Sequence, residues 1–271
     1  MLGDCWFSYP FNLFPYGDIT SDDCLKGGSG TTDTGYHPFE IWSTLTATTP
    51  GEMDELWYRL YCAVSRCNRA LVSLERNGVA KLGSDISEQR IAEVKFLRAH
   101  FYYKLLTVFR QVPWIDEVAY LNNSIEQIPN DEFSYEGLFG KVIADFETAY
   151  NVLPEKQSDG GRVNKIAAAA YLAKCYLGLA WGDGYEATTG VNHINEEYMR
   201  KVVIYTDEVA NSDYDYLEDF GDIFLPDYKN SKESVFAVQC SDYKDDNTSF
   251  GRANWSNMLN GCWGMWSCGW D

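Results

Sequence analysis

From Glu52 onward the apolar positions recur at steps of three and four residues, with Met53, Leu56, Leu60, Val64, Cys67, Leu71 and Leu74 on one stripe. That period predicts an amphipathic helix, closed by Gly78 and Gly83. A second stripe, Ile91, Val94, Leu97, Phe101, Leu105 and Val108, follows Asp85 and Glu88, which are spaced as a capping pair, and Pro113 stops it. Ser134 is placed to cap a third helix with Phe139, Val142, Ile143, Phe146, Ala149, Tyr150 and Leu153 on one face and Pro154 beyond. Asn164 caps a fourth, which carries Ala167, Ala168, Ala169, Ala170, Ala173 and Gly178, residues small enough to let another helix approach closely. A fifth carries Tyr198, Val202, Tyr205, Thr206 and Val209.

The expected helix starts lie near 52, 86, 134, 164 and 195, so successive starts are 34, 48, 30 and 31 residues apart. Helices of about 18–24 residues with short connections make an antiparallel stack, in which each hairpin has an apolar face that only its neighbour covers. The fold class expected is therefore mainly α, a tetratricopeptide-like helical hairpin stack with loop-rich, aromatic-rich excursions and little β. The period is near the roughly 34 residues of tetratricopeptide repeats, with one insertion. We expect one domain over 1–271: a loop-rich segment at 1–50, the hairpin stack at 52–213, and the start of an irregular, Trp-rich, truncated part at 214–271. Within the last part, Ser234–Gln239 reads as one strand. Gly27-Gly28-Ser29-Gly30 is a flexible turn former and no phosphate loop, since no Gly-Lys-Ser/Thr follows.

Charge narrows the function classes. Lys and Arg number 22 against 40 Asp and Glu, a formal net charge of -18. Nucleic-acid binding needs clustered cations, and so does docking on an anionic bilayer, so both are disfavoured. Hydrophobic residues at 45% and charged residues at 23% fit a globular chain. Aromatics stand out at 15%, with 9 Trp and 19 Tyr, more than a core needs, which places many of them at surfaces or clefts. No run of 18 apolar residues is present, and Met1–Asp4 does not open a signal peptide. Read plainly this means a cytoplasmic chain; the alternative is a fragment without its natural beginning, and the Trp-rich last stretch favours a fragment at that end.

The eight cysteines include no Cys-x-x-Cys, and Cys62, Cys67 and Cys175 fall in helical patterns as buried thiols. Cys262 and Cys268 would pair only in an oxidising compartment. His37, His100 and His193 share no metal-ligand spacing. Asp242, Asp245 and Asp246 have the hard oxygens calcium takes, but lack the EF-hand spacing and its final Glu, and are read as a solvated loop. No metal or cofactor is expected.

Several segments together resemble the SusD/RagB family of outer-membrane nutrient (glycan) binding lipoproteins, in its N-terminal portion. They are Tyr58–Ala70; Ala92–Leu105 with Val112-Pro113-Trp114; Gly161–Ala168 leading to Leu172–Leu177; and Phe220–Phe224 followed by Asn230–Gln239. Tyr16–Asp23 fits the stretch before the first helix. Order and spacing match over nearly the whole chain. The resemblance implies a SusD-like helical scaffold with the ligand site on loops and C-terminal excursions. It also implies a lipid anchor on the outer face of the outer membrane, with the protein capping a TonB-dependent SusC-like transporter. Relatives run to about twice this length. The lipobox is absent, and Cys5, with no apolar stretch before it, is not the anchor; the membrane is met only through an anchor outside this chain.

A site of that kind needs aromatic rings for the C–H faces of sugars and polar groups for the hydroxyl rim. The ligand-binding candidates are the aromatics outside the helical stripes with polar neighbours: Tyr36, Trp42, Arg252, Asn254, Trp255, Trp263 and Trp266, with Trp270, Asp18, Asp22 and Asn257 as companions. Arg98 is read as a structural ion-pair or carbonyl-binding residue. The expected function is non-catalytic binding of oligosaccharide or polysaccharide at the bacterial cell surface and delivery to the transporter. The alternative is a cytoplasmic tetratricopeptide-type scaffold that binds peptide in its groove. A glycosidase needs two carboxylates across a cleft, but 40 acids make chance pairs inevitable, and no Gly-x-Ser-x-Gly, His-Glu-x-x-His or Walker loop is present. No enzyme is expected.

Overall fold

The structure, a computed structural model, describes residues 17, 19–21, 37–42, 51–122, 125–182, 185–186, 190–237 and 239. The chain divides into two compact units, Met1–Leu60 with Val238–Asp271, and Tyr61–Ala237. In the first, Ile19 is buried, and a single-turn helix, α1 (His37–Glu40), buries Phe39. Helix α2 (Gly51–Leu82) begins in the first unit and runs on into the second.

The second unit is a helical stack: the rest of α2, then α3 (Ser84–Phe109), α4 (Glu117–Asn122), α5 (Tyr135–Val152), α6 (Lys165–Gly182) and α7 (Glu196–Ala210). The long helices begin within two residues of the expected starts. Paired β-strand among the described residues is limited to an antiparallel ribbon of two residues on each side, Tyr185–Glu186 with Gly190–Val191. The fold is mainly α with little β, as the pattern predicts.

Local chemistry explains most boundaries. The Ser134 hydroxyl accepts from the Gly137 N–H at 3.1 Å, and the Asn164 carbonyl oxygen from the Ala167 N–H at 2.8 Å, so both caps form. Asn195 caps α7 by accepting from the N–H groups of Glu197 and Tyr198. Two boundary expectations are corrected. Gly78 does not close α2; it lies inside the helix where Ser87 of α3 comes so near that a Cβ would meet its Oγ at 2.2 Å. The α2–α3 turn is made instead by Gly83, whose φ of 84° is the left-handed backbone that favours glycine. Asp85 and Glu88 form no capping pair, because α3 starts at Ser84 with Gly83 as its cap residue and no side-chain cap bond.

The core runs through α3, α5 and α6. Helices α5, α6 and α7 are antiparallel neighbours: the Asn195 N–H donates to the Ala180 carbonyl at 2.9 Å at one end, and Lys165 pairs with Glu208 at 2.6 Å at the other. Ala167, Ala168, Ala169, Ala173 and Ala180 are buried along α6, so its backbone fits between α5 and α7. On α5 the expected face is buried from Phe139 to Leu153, with Tyr150 half-exposed. The stripe expected on α3 is rotated. Ala92, Phe96, Ala99, Tyr102 and Leu106 are buried with Phe101 and Leu105, while Ile91, Val94, Leu97 and Val108 are only half-buried. Helix α3 is covered from more than one side, and four polar residues, Ser87, Glu93, Arg98 and His100, go inside with it. A single apolar stripe cannot describe such a helix.

The long α3–α5 connection is held by hydrogen bonds to its own backbone. The Tyr61 hydroxyl donates to the Pro113 carbonyl at 2.7 Å, the Asn68 amide to the Ile115 carbonyl at 2.8 Å, and the Ile115 N–H to the Tyr102 oxygen at 2.6 Å. Trp114 stacks on Tyr102 with ring centres 4.2 Å apart. The strand expected at 234–239 does not form over its described residues. Instead the Val235 carbonyl accepts from Asn164 Nδ2 at 2.9 Å and Phe236 places its ring edge-on to Phe96 at 5.7 Å. Asn164 Nδ2 also donates to the Tyr214 hydroxyl at 3.0 Å, so one carboxamide caps α6 and fastens the segment after α7.

His100 gives a pH-dependent contribution to stability. Its Nδ1 shares a 2.6 Å hydrogen bond with the Tyr171 hydroxyl, and its buried Nε2 has no hydrogen-bond partner. Burial, and then the positive charges of Lys104 and Lys174, push its pKa down to about 3. Below the ordinary value of about 6.5 the unfolded chain binds a proton that the folded chain refuses, so stability falls as pH drops from 6.5 towards 3. At pH 5 the loss is about 2 kcal/mol relative to pH 7. Urea midpoints measured against pH should show this slope in the native protein and a slope smaller by about one proton in His100→Phe; equal slopes would assign the acid sensitivity to other groups.

Candidate functional site

Of the sequence-derived candidates, Trp42 lies within the described residues. Helix α1 ends at Glu40, and Ile41 and Trp42 form the turn that follows, with the Trp42 N–H donating to the Phe39 carbonyl at 3.4 Å. Phe39 is 6% exposed and pins the turn inward; Trp42 is 76% exposed and projects outward. The Trp42 backbone has φ 50°, the left-handed region that a bulky residue rarely adopts. A large indole presented to solvent from such a backbone is what a stacking platform needs: an open ring face with an N–H at its edge. Tyr36, Arg252, Asn254, Trp255, Trp263 and Trp266 lie outside the described residues, as do Asp18, Asp22, Asn257, Trp270 and the aspartates at 242, 245 and 246.

The other polar concentrations of the second unit are structural. Arg98, buried on α3, donates through Nε and Nη2 to both oxygens of Asp145 at 2.6 and 2.9 Å, through Nη1 to Asn68 Oδ1 at 3.0 Å, and to Glu117. Its guanidinium also lies 5.6 Å from the Trp114 ring centre. Burial pushes the Glu117 carboxyl up, but the Arg98 charge and hydrogen bonds more than offset it and hold the group below the ordinary range. Four of the five guanidinium N–H groups are committed in this way, so the cluster ties α2, α3 and α5 together. A cleft of about 130 Å³ opens between the α5–α6 loop and the segment after α7, lined by Asp159, Arg162, Asn164, Tyr214, Asn230 and Lys232 among others. Its polar groups are largely spoken for: Arg162 pairs with Glu93 at 2.8 Å and Lys232 with Asp215 at 3.4 Å, while Asn164 holds Tyr214 and Val235. It is a seam between two segments.

Among the described residues no group of three or more His, Cys, Asp or Glu is arranged to hold a metal ion. Cys67 and Cys175 are buried free thiols and Cys62 is half-buried; burial pushes the Cys67 thiol up to about 12, which leaves it unreactive at neutral pH. His193 is exposed. Tyr216, Phe220 and Phe224, which the sequence shows only as residues around Pro226, are 80%, 74% and 72% exposed, and the two phenyl rings meet edge-on at 5.5 Å. A phenyl ring has no polar handle for a hydroxyl rim, so this strip suits an apolar contact better than a sugar.

The family model described as starch-binding associating with outer membrane matches residues 26–177, more than half of the chain. The chain belongs to the SusD-like family. A SusD-like protein of Bacteroides ovatus is 26% identical over 258 residues, which are 92% of this chain and 45% of that protein. This SusD-like chain thus spans less than half the length of that relative. Two solved structures share its fold. Surface glycan-binding protein A from Bacteroides thetaiotaomicron, in complex with laminarihexaose, superposes with TM-score 0.68 at 22% identity, over 89% of this chain and 46% of that one. A structure solved with xylogluco-oligosaccharide superposes with TM-score 0.64 at 22% identity, over 87% of this chain and 44% of that one. The helical hairpin scaffold read from the sequence is the SusD-like scaffold.

Proposed function

We propose that the chain binds oligosaccharide or polysaccharide at the bacterial cell surface without transforming it, and passes it to a TonB-dependent, SusC-like outer-membrane transporter. The observation that carries the reading is Trp42, a large aromatic face left open to solvent on a strained turn. Family membership and fold neighbours solved with laminarihexaose and a xylogluco-oligosaccharide support it. In this reading Trp42 covers the C–H face of one sugar, Tyr36, Trp255, Trp263 and Trp266 offer further faces, and Arg252 and Asn254 bond the hydroxyl rim. In this reading a lipid anchor holds the protein on the outer face of the outer membrane. Catalysis has no part in it, so reducing sugar should not accumulate when glycans are incubated with the protein.

Isothermal titration against a panel of polysaccharides tests the reading. Trp42→Ala should weaken binding about tenfold, or about 1.4 kcal/mol. The circular dichroism spectrum should be unchanged, because the indole is mostly in solvent and little packing is lost. Undiminished affinity in Trp42→Ala would remove this residue from the site, and an entirely silent panel would remove the function.

A further inference from the structure

We infer that a row of tyrosines on helices α5, α6 and α7 is a second glycan contact, one that takes an extended oligosaccharide independently of Trp42. This rests on the glycan reading above and adds a site to it. The row lies wholly within the second compact unit. Tyr150 of α5 meets Tyr205 of α7 edge-on with ring centres 5.5 Å apart. Tyr205 lies nearly parallel to Tyr176 of α6 at 5.9 Å, and Tyr176 meets Tyr198 of α7 at 6.0 Å. All four residues are only half-buried, and α7, although it packs on α6, has no buried residue. The rings therefore line an open strip and do not close a core.

The two ends of the row are tied. The Tyr198 hydroxyl donates to Glu136, and Lys165, whose ammonium stands 4.9 Å from the Tyr150 ring centre, pairs with Glu208 at 2.6 Å. The middle is not tied. Among the described residues the Tyr176 and Tyr205 hydroxyls have no hydrogen-bond partner, and neither is sealed from water. Glu147 of α5, half-buried and without an ion-pair partner among the described residues, faces both phenols. Burial, and then the Glu147 charge, pushes both hydroxyls up, Tyr176 to about 12, so each remains a donor at neutral pH. Packing alone would be served as well by phenylalanine. Two unpartnered phenol hydroxyls and an unpaired carboxylate among half-open rings match a ligand with apolar C–H faces and a rim of hydroxyls. The phenols donate to and accept from such a rim, and the carboxylate accepts from it. A purely apolar ligand would leave all three polar groups unpaired, and a row of rings suits a chain of sugars better than a single one.

Tyr176→Phe combined with Tyr205→Phe removes the two hydroxyls and keeps the rings. Because those hydroxyls bond nothing in the protein, the urea midpoint of this pair should not fall. Titrations use the whole chain with a panel of oligosaccharides that includes cellohexaose, laminarihexaose and maltohexaose, in the native protein and in Trp42→Ala. Trp42→Ala should retain binding to at least one of them. Adding the phenylalanine pair should weaken that remaining binding about tenfold or more, as the loss of two hydrogen bonds to a neutral ligand does. Affinity that the pair leaves unchanged in both backgrounds overturns the inference and leaves the Trp42 reading standing, since the row would then be packing only. A lower urea midpoint in the pair overturns it as well, because the hydroxyls would be holding the fold. So does a Trp42→Ala protein that binds none of the glycans its parent binds. If the native protein binds no glycan, the glycan reading fails and takes this inference with it.

Discussion

Arg98→Met should destabilise the protein by about 3–5 kcal/mol. The guanidinium is buried on α3 and holds Asp145 of α5 with two hydrogen bonds at 2.6 and 2.9 Å. Methionine matches much of its volume but leaves the Asp145 carboxylate without its counter-ion in a site that water hardly reaches. It also deprives Asn68 Oδ1 of its donor, and Glu117 of its ion-pair partner. An orphaned buried charge costs far more than the net stabilisation of the intact pair, since the pair itself only roughly balances its desolvation. The double variant Arg98→Met/Asp145→Leu should therefore recover more than half of the loss. Urea unfolding of the native protein and the two variants decides the matter. A loss below about 1 kcal/mol for Arg98→Met would show that Asp145 can turn to water, contrary to its buried position.

Phe96→Ala should cost about 3–5 kcal/mol by another route. The ring is fully buried on α3 and meets Phe146 of α5, Tyr171 of α6 and Phe236 edge-on, with centres 5.2, 5.4 and 5.7 Å apart. Truncation removes the transfer free energy of the ring and opens a cavity that three separate elements would have to collapse to fill. Phe96→Leu, which keeps much of the volume, should cost about 1.5 kcal/mol or less. Equal losses for the two variants would mean that the neighbours close in freely and the ring cluster is not tightly packed.

The scaffold was legible where the physics is local. Ser134 and Asn164 stand one residue before α5 and α6 because a short polar side chain satisfies free helix N–H groups, and that signal needs no tertiary information. The burial of α5 followed its period because α5 has one broad core face. On α3 the same rule pointed to the wrong stripe. Arg98 was legible as a structural ion-pair residue but its partner was not, and nothing local marks Glu93 or His100 as buried; the partners Asp145, Arg162 and Tyr171 lie 47 to 71 residues away in sequence. Residues 234–239 have strand composition, but a strand needs a partner edge. Here the polar backbone group of Val235 is taken by a side chain instead.

The candidate site was legible only as a kind of chemistry. An excess of Trp and Tyr outside the helical stripes says that some rings face outward, yet composition does not tell Trp42, which does, from Phe39, which does not. The difference arises from a single turn in which the chain reverses direction between the two residues. Tyr216, Phe220 and Phe224 escaped notice for the same reason: nothing in their spacing separates an open strip from a packed one.

The Asn164 carboxamide has a bearing on the order of assembly. Its oxygen is engaged by its own helix three residues on, whereas its two N–H groups reach Tyr214 and Val235, 50 and 71 residues away. The first bond forms as soon as α6 nucleates; the other two must wait until large loops have closed, at an entropic cost that rises with the logarithm of loop length. The expected order is therefore a cap made early and locally, with the tail of the unit latched onto it last.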